Sequence, residues 1–192
     1  ITSTDKSIEP AIREGFFQVI SIITTTGYSN TDYLFWPSAG LVVIFVLLFA
    51  GASTGSTTGS IKIVRHLLVM KNIKNVMTKL IHPNVISQIK INHKPLSDNA
   101  NISILSFITL YIFLFLTGTI LLSVLKIDLI TAGSAVASSL GNIGPGLGAV
   151  GPMFHYGDLP SVVKMILGFL MIIGRLEIIT VFVLFSKSFW RI

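Results

Sequence analysis

Long apolar runs separated by short polar segments dominate this chain, in place of the alternating patterns of a water-soluble core. Between Asp32 and Lys62 lie 29 residues without a charge, including the run AGLVVIFVLLFAGA at 39–52. About 20 apolar residues at about 1.5 Å each cover roughly 30 Å of hydrocarbon, so this run is long enough to cross a bilayer. A second uncharged stretch of 27 residues, from Asn99 to Leu125, is rich in Phe, Leu and Ile and reads as the cleanest span. A third, from about Pro160 to Ser186, carries Arg175 and Glu177 in its interior. Two further uncharged segments, Gly15 to Thr31 and Leu129 to about Met153, are too short or too polar to span. Each opens with a half-helix length of apolar and small residues (GFFQVISII; LITAGSAVASSL) and ends in glycine-bearing polar sequence. Segments of roughly 10 to 14 apolar residues are better read as re-entrant. The pattern predicts an all-α integral membrane protein.

Composition agrees with that solvent. The chain is 52% hydrophobic and 11% charged, against about a quarter charged in ordinary soluble domains. It has no cysteine, which excludes disulfide scaffolds, thiolate catalysis and thiolate zinc sites. The net charge of +6 could suggest nucleic acid, but residues 62–94 hold seven Lys or Arg and no Asp or Glu. The rest of the chain, seven basic residues against eight acidic, sums to −1. One basic stretch beside apolar spans is what the positive-inside rule expects of a cytoplasmic loop. It predicts that residues 62–98 and the C-terminus, with Lys187 and Arg191, are cytoplasmic, that Lys126 and Asp128 are outside, and that no nucleic acid is bound. The opening ITSTDKSIEP has neither the basic nor the apolar region of a signal peptide, and reads as the start of a chain cut mid-protein.

The two halves repeat an order: re-entrant half-helix, glycine-bearing strand, inward span. TTTGYS (24–29) matches GNIGPG (141–146), and aligning Gly27 with Gly144 sets an offset of 117 residues. At that offset the interruption of the first inward span, GASTGSTTGS (51–60), falls near the depth of Arg175, so both anomalies are expected to face one central feature. Cation passage through hydrocarbon needs oxygens that replace the hydration shell, and backbone carbonyls of a short extended stretch can supply them. Glycine accepts the backbone angles such a stretch requires, and non-helical backbone at membrane depth is tolerated only in a wet cavity or inside protein. A half-helix ending there adds roughly −0.5 of effective charge aimed at the cation.

Other readings of these features are narrower. Gly51, Gly55 and Gly59 lie four apart, the small-xxx-small pattern of close helix packing. Ten consecutive Gly, Ala, Ser or Thr residues nevertheless favour a break, because glycine costs about 1 kcal/mol relative to alanine in a helix. A phosphate-binding loop fails, since that pattern needs a lysine directly after the glycine and Gly59 is followed by Ser60 before Lys62. Arg175 could pair with an unseen acid; Glu177, two residues on, points elsewhere on a helix, and a pore-facing arginine is the preferred reading. At about 8 Å from a permeating cation, it would cost roughly 2 kcal/mol at an effective dielectric constant of about 20, or some thirtyfold in rate. His66, His82, His93 and His155 show no metal spacing and read as loop residues. Lys71, Lys74 and Lys79, with Val69, Ile73, Val76 and Leu80 between them, form an amphipathic inner extension suited to anionic lipid or a cytoplasmic partner. The alternatives are a non-conducting membrane subunit, or an intramembrane serine hydrolase using Ser53 or Ser56, which would need a general base within about 3 Å.

The order of elements, T-T-T-G-Y, N-I-G-P-G, the all-small run GASTGSTTGSIK, the stretch HPNVISQIKINHKPLSDN (82–99) and G-R-L-E (174–177) together resemble the Trk/Ktr/HKT superfamily of potassium transporters. The likeness is to the C-terminal half of a TrkH-type subunit. The resemblance implies repeated helix–pore loop–helix units around a central ion pore, four in a complete ring. Residues 1–80 would be a third unit lacking its first outer helix, 81–99 a cytoplasmic linker, and 100–192 a complete fourth unit. Thr25, Thr26, Gly27 and Tyr28 would form one potassium-binding filter strand, and Asn142, Ile143, Gly144 and Pro145 another. Gly51, Ser53, Gly55, Ser56 and Gly59 would belong to a gating loop beneath them, with Arg175 facing the pore. Ser60 stands where many relatives have glycine, which would stiffen that loop. The resemblance further implies the N-terminal half of the same transporter, a homodimer and a cytoplasmic nucleotide-binding regulatory subunit as partners. It implies no cofactor on this chain and potassium as the transported ligand, in the cell membrane.

Overall fold

The computed structural model describes residues 8–53, 55–56, 59–83, 85, 89–91, 94–184 and 189–190. Helix α1 (Ile8–Ile23) starts seven residues before the expected half-helix, with an Arg13–Glu9 ion pair across its first turns. It ends in the dip 24–31, and a short 3-10 turn (Tyr33–Phe35), capped by the Asp32 side chain on the Leu34 N–H, leads to α2 (Ser38–Leu47). The first predicted span is therefore broken: α2 stops at Leu47, and α3 (Ile63–Ile81) begins only after the run of small residues. The excursion has a closed neck, because β1 (Ala50–Gly51) pairs in parallel with β2 (Ile61–Lys62). Ser60 is buried there, its hydroxyl donating to the Leu48 carbonyl at 3.2 Å. A Cβ on Gly51 would lie 2.9 Å from the Ser60 carbonyl oxygen, so the neck closes tightly only with glycine at that position.

Helix α3 is the basic amphipathic extension. A short hairpin, β3 (Lys90–Ile91) with β4 (Lys94–Pro95), then precedes α4 (Asp98–Val124), N-capped by the Ser97 hydroxyl. Among the described residues, α4 is the one helix long and apolar enough to cross a membrane by itself. Helix α5 (Leu129–Gly141) is the second half-helix, capped by Asp128, whose carboxylate accepts from the Ile130 and Thr131 N–H groups. Every residue from Thr131 to Gly141 is buried. Small residues let its neighbours close in: a Cβ on Gly118 of α4 would lie 3.0 Å from Val136.

The third predicted span is also two pieces. Helix α6 (Ser161–Arg175) ends at Arg175, Glu177 turns to φ 59°, and α7 (Ile178–Leu184) follows. Arg175 thus sits at a helix end, contrary to the expected unbroken helix. The two repeats meet through aromatic rings: Phe49, just past α2, packs edge-on to Phe115 of α4 at 5.0 Å and to Tyr111 at 6.3 Å. Below them the Arg65 guanidinium lies 3.7 Å over the Phe107 ring, a cation–π contact that ties α3 to α4.

Candidate ion-conduction site

Both half-helices end in the same backbone figure. Thr25 and Asn142 have φ 53° each, and two residues on Gly27 has φ 75° and Gly144 φ 120°. These left-handed pairs stand 117 positions apart, the offset read from sequence. The turns that make them also match: Thr26 N–H donates to Ser21 O at 2.9 Å and Ile143 N–H to Ser138 O at 3.0 Å, while Thr25 N–H reaches Ile22 O and Asn142 N–H reaches Ser139 O. A non-glycine residue at positive φ carries strain, and here it is imposed twice by the same hydrogen bonds.

The two dips touch. Gly27 lies directly against the Ile143 carbonyl oxygen, so that a Cβ there would collide with it, and Gly144 faces the Gly27 Cα at 4.0 Å from where its own Cβ would be. The Cβ on Gly27 would also lie 3.4 Å from Pro145 Cδ. Of the eight expected filter residues, Ile143 is buried, Thr25, Gly27, Asn142 and Pro145 are half-buried, and Thr26, Tyr28 and Gly144 are exposed.

Their carbonyls divide into two sets. The Tyr28 carbonyl accepts from the Ser21 hydroxyl at 2.6 Å. The Gly144 carbonyl accepts from the Ser138 hydroxyl at 2.9 Å and from the Tyr156 hydroxyl at 2.7 Å. Two donors occupy both lone pairs of a backbone carbonyl. Among the described residues no donor reaches the carbonyls of Gly27, Asn142 or Ile143.

Beneath the second dip the small-residue run and the last helix converge on one atom. A Cβ on Gly59 would lie 2.7 Å from Asn142 Nδ2, and one on Gly174 would lie 3.1 Å from the same nitrogen. That nitrogen donates to the Met171 carbonyl at 3.1 Å, and Gly174 also presses on the Leu140 carbonyl. Asn142 therefore joins the end of α5, the loop and α6. Gly51 and Gly59 are buried, Ser56 is half-buried, and Ser53, Gly55 and Arg175 are exposed; Thr54, Thr57 and Thr58 lie outside the described residues.

Several participants carry no sequence signal of their own. Glu177 accepts from the Lys62 ammonium at 3.1 Å and pairs with the Arg65 guanidinium at 3.5 Å, which binds the break in the last span to the exit of the loop. Ser21 and Ser138 are 117 positions apart, so the repeat could have found them. Tyr33, from the first repeat, donates its hydroxyl to the Gly146 carbonyl of the second at 2.7 Å. The histidines are not all loop residues: His66 is on α3 with Nε2 3.3 Å from the Phe49 carbonyl. His82 caps the end of α3, and His155 precedes a 3-10 turn; His93 lies outside the described residues. Among the described residues no cluster of three metal-ligating side chains occurs.

Residues 5–192 match the TrkH family of cation transport proteins. The chain is 38% identical over its whole length to the Trk system potassium uptake protein TrkH of Halomonas elongata, of which it covers 39%. Over 94% of its length it is 34% identical to the protein of that name in Escherichia coli K12, covering 37% of it. The crystal structure of the potassium transporter TrkH from Vibrio parahaemolyticus superposes with a TM-score of 0.88 at 34% identity, over 97% of this chain and 39% of that one. The chain thus spans about two fifths of the length of its relatives. A mainly helical membrane chain with two matched, touching dips and this likeness along its length belongs to the TrkH family of cation transport proteins.

Proposed function

We propose that this chain is the C-terminal part of a potassium-translocating pore subunit, holding two of the helix–pore loop–helix units that surround one ion path. The observation that carries the reading is the contact of Gly27 with the Ile143 carbonyl, between two stretches of matching left-handed backbone. Potassium sheds water at 25–28 and 142–145, where the carbonyls of Gly27, Asn142 and Ile143 remain for it, and the negative ends of α1 and α5 favour the cation. Domain limits at 1–80, 81–99 and 100–192 fit this scheme, with 62–98 and the C-terminus on the cytoplasmic side. Movement runs down the electrochemical gradient without covalent chemistry, and the relatives' names as potassium uptake proteins weigh against a hydrolase. The remaining units come from the N-terminal half of the same transporter, in a homodimer. A cytoplasmic nucleotide-binding regulatory subunit is the partner proposed for the basic inner face, consistent with the relatives' naming as parts of a Trk system.

The loop of residues 51–60, with Arg175, forms the constriction beneath. Its shut form is held by the parallel neck and by packing on Asn142. The test is rubidium flux into liposomes carrying the full-length transporter, with potassium over sodium preference measured by competition. Deleting 52–58 is expected to raise flux, and Arg175→Ala to raise it by up to about thirtyfold, the rate equivalent of roughly 2 kcal/mol. Absence of flux in the wild type would favour a non-conducting subunit; unchanged flux in the deletion would reduce the loop to packing.

A further inference from the structure

A carbonyl filter needs a frame as well as ligands, because any peptide plane free to turn can add or withdraw an oxygen. Gly144 is the weak point of the second strand. It has no Cβ, its φ is 120°, and its nearest neighbour on that side is the Gly27 Cα. Sterics alone do not hold its peptide. Hydroxyls do: Ser138 accepts from the Gly144 N–H at 3.0 Å and donates to its carbonyl at 2.9 Å, and Tyr156 donates to that carbonyl at 2.7 Å. Two residues on, the Gly146 carbonyl takes the Tyr33 hydroxyl at 2.7 Å, and the Gly146 N–H donates to Val150 O at 2.7 Å. Tyr33 is fully buried and comes from the other repeat, so its bond crosses between the units.

Resting on the filter reading above, we propose that the hydroxyls of Tyr156, Ser138 and Tyr33 are positioning groups. They keep the Gly144 and Gly146 carbonyls turned from the ion and so set the preference for potassium over sodium. Preference among monovalent ions depends on the size of the carbonyl cage or on the number and field of its oxygens. A released Gly144 carbonyl changes both, since it can swing in as an extra, loosely held ligand that suits the smaller ion.

The experiment uses the full-length transporter in liposomes, with rubidium uptake competed by potassium and by sodium. Tyr156→Phe removes one hydroxyl and nothing else. It is expected to lower the potassium-to-sodium preference about fivefold, equivalent to about 1 kcal/mol at 1.4 kcal/mol per tenfold, with rubidium uptake itself retained. Tyr33→Phe is expected to act in the same direction. Tyr111→Phe is the comparison, because that buried hydroxyl on α4 finds no partner among the described residues and its ring packs on Phe49 and Phe107; its preference should match wild type. A wild-type preference in both Tyr156→Phe and Tyr33→Phe overturns the proposal, as does an equal loss in Tyr111→Phe. Should Tyr156→Phe fail to reach the membrane, Ser138→Ala removes the other donor to the same carbonyl and carries the same expected and overturning results. A wild-type transporter with no potassium preference would instead sink the filter reading itself.

Discussion

Replacing Gly27 with alanine perturbs the contact on which the site depends. The position has φ 75°, where a residue with a Cβ loses about 1–2 kcal/mol. The added methyl would also collide with the Ile143 carbonyl oxygen of the adjoining strand, and overpacking of this kind typically costs about 1–3 kcal/mol more. The neighbour here is a main-chain oxygen held by the α5 turn, so it cannot rotate aside as a side chain would. The sum is about 2–5 kcal/mol, at least some thirtyfold in the population of the native strand pair. Gly144→Ala separates the two terms. At φ 120° the backbone is strained by about 1–3 kcal/mol, but the space is open, with the Gly27 Cα 4.0 Å away. Gly15→Ala is the reverse case: it lies in α1 with nothing within 4 Å, and should stabilise by up to about 1 kcal/mol. The assay is potassium and sodium competition for rubidium uptake by the full-length transporter, beside its thermal midpoint. Loss should be greatest for Gly27→Ala, smaller for Gly144→Ala and nil for Gly15→Ala. A Gly27→Ala protein with wild-type preference and midpoint would mean that the two dips do not adjoin.

Glu177→Gln removes the carboxylate shared by Lys62 and Arg65, whose side chains are only 16% and 18% exposed. Because Glu177 is half exposed, the loss should be no more than about 1 kcal/mol, read as a lower thermal midpoint; Lys62→Glu combined with Glu177→Lys should recover part of it, and no recovery would argue against a direct pair. Alkaline titration should spare the proposed filter. Burial raises the Tyr33 phenol, with Tyr156 and Asp32 adding to it, and burial likewise raises Tyr156 against a lowering bond from Ser138. The neutral phenols therefore stabilise the fold fully below the ordinary tyrosine range near about 10, and that stability declines as pH climbs through the raised values. Potassium preference measured from pH 7 to 10 should stay flat, and a fall centred below 9 would contradict the protonated struts.

How much of this was legible varies with the range of the interaction. The dips at 24–29 and 141–146 were visible because half-helix, glycine and offset are local patterns, and the same offset would have yielded Ser21 and Ser138. The break at 51–60 followed from ten small residues in succession. The break after Arg175 did not: G-R-L-E contains no poor helix former but Gly174, and the left-handed turn falls on Glu177, held by Lys62 of β2 and Arg65 of α3, more than a hundred positions earlier. His66 looked like a loop residue because its helix follows closely on the polar run of small residues at 51–60.

The chain's own order of apolar runs determined its mainly helical, apolar character and the places, at the two dips and at 51–60, where backbone must leave the helix. Local propensity and transfer free energy act within about 20 residues, so they can be read along the line. Tertiary structure alone decided that Gly27 rests on the Ile143 carbonyl, that Gly59 and Gly174 share Asn142, and that Tyr33 reaches into the other repeat. Those contacts join segments over a hundred positions apart or across a helix packing face, where close approach depends on which small residue meets which carbonyl once the helices have assembled.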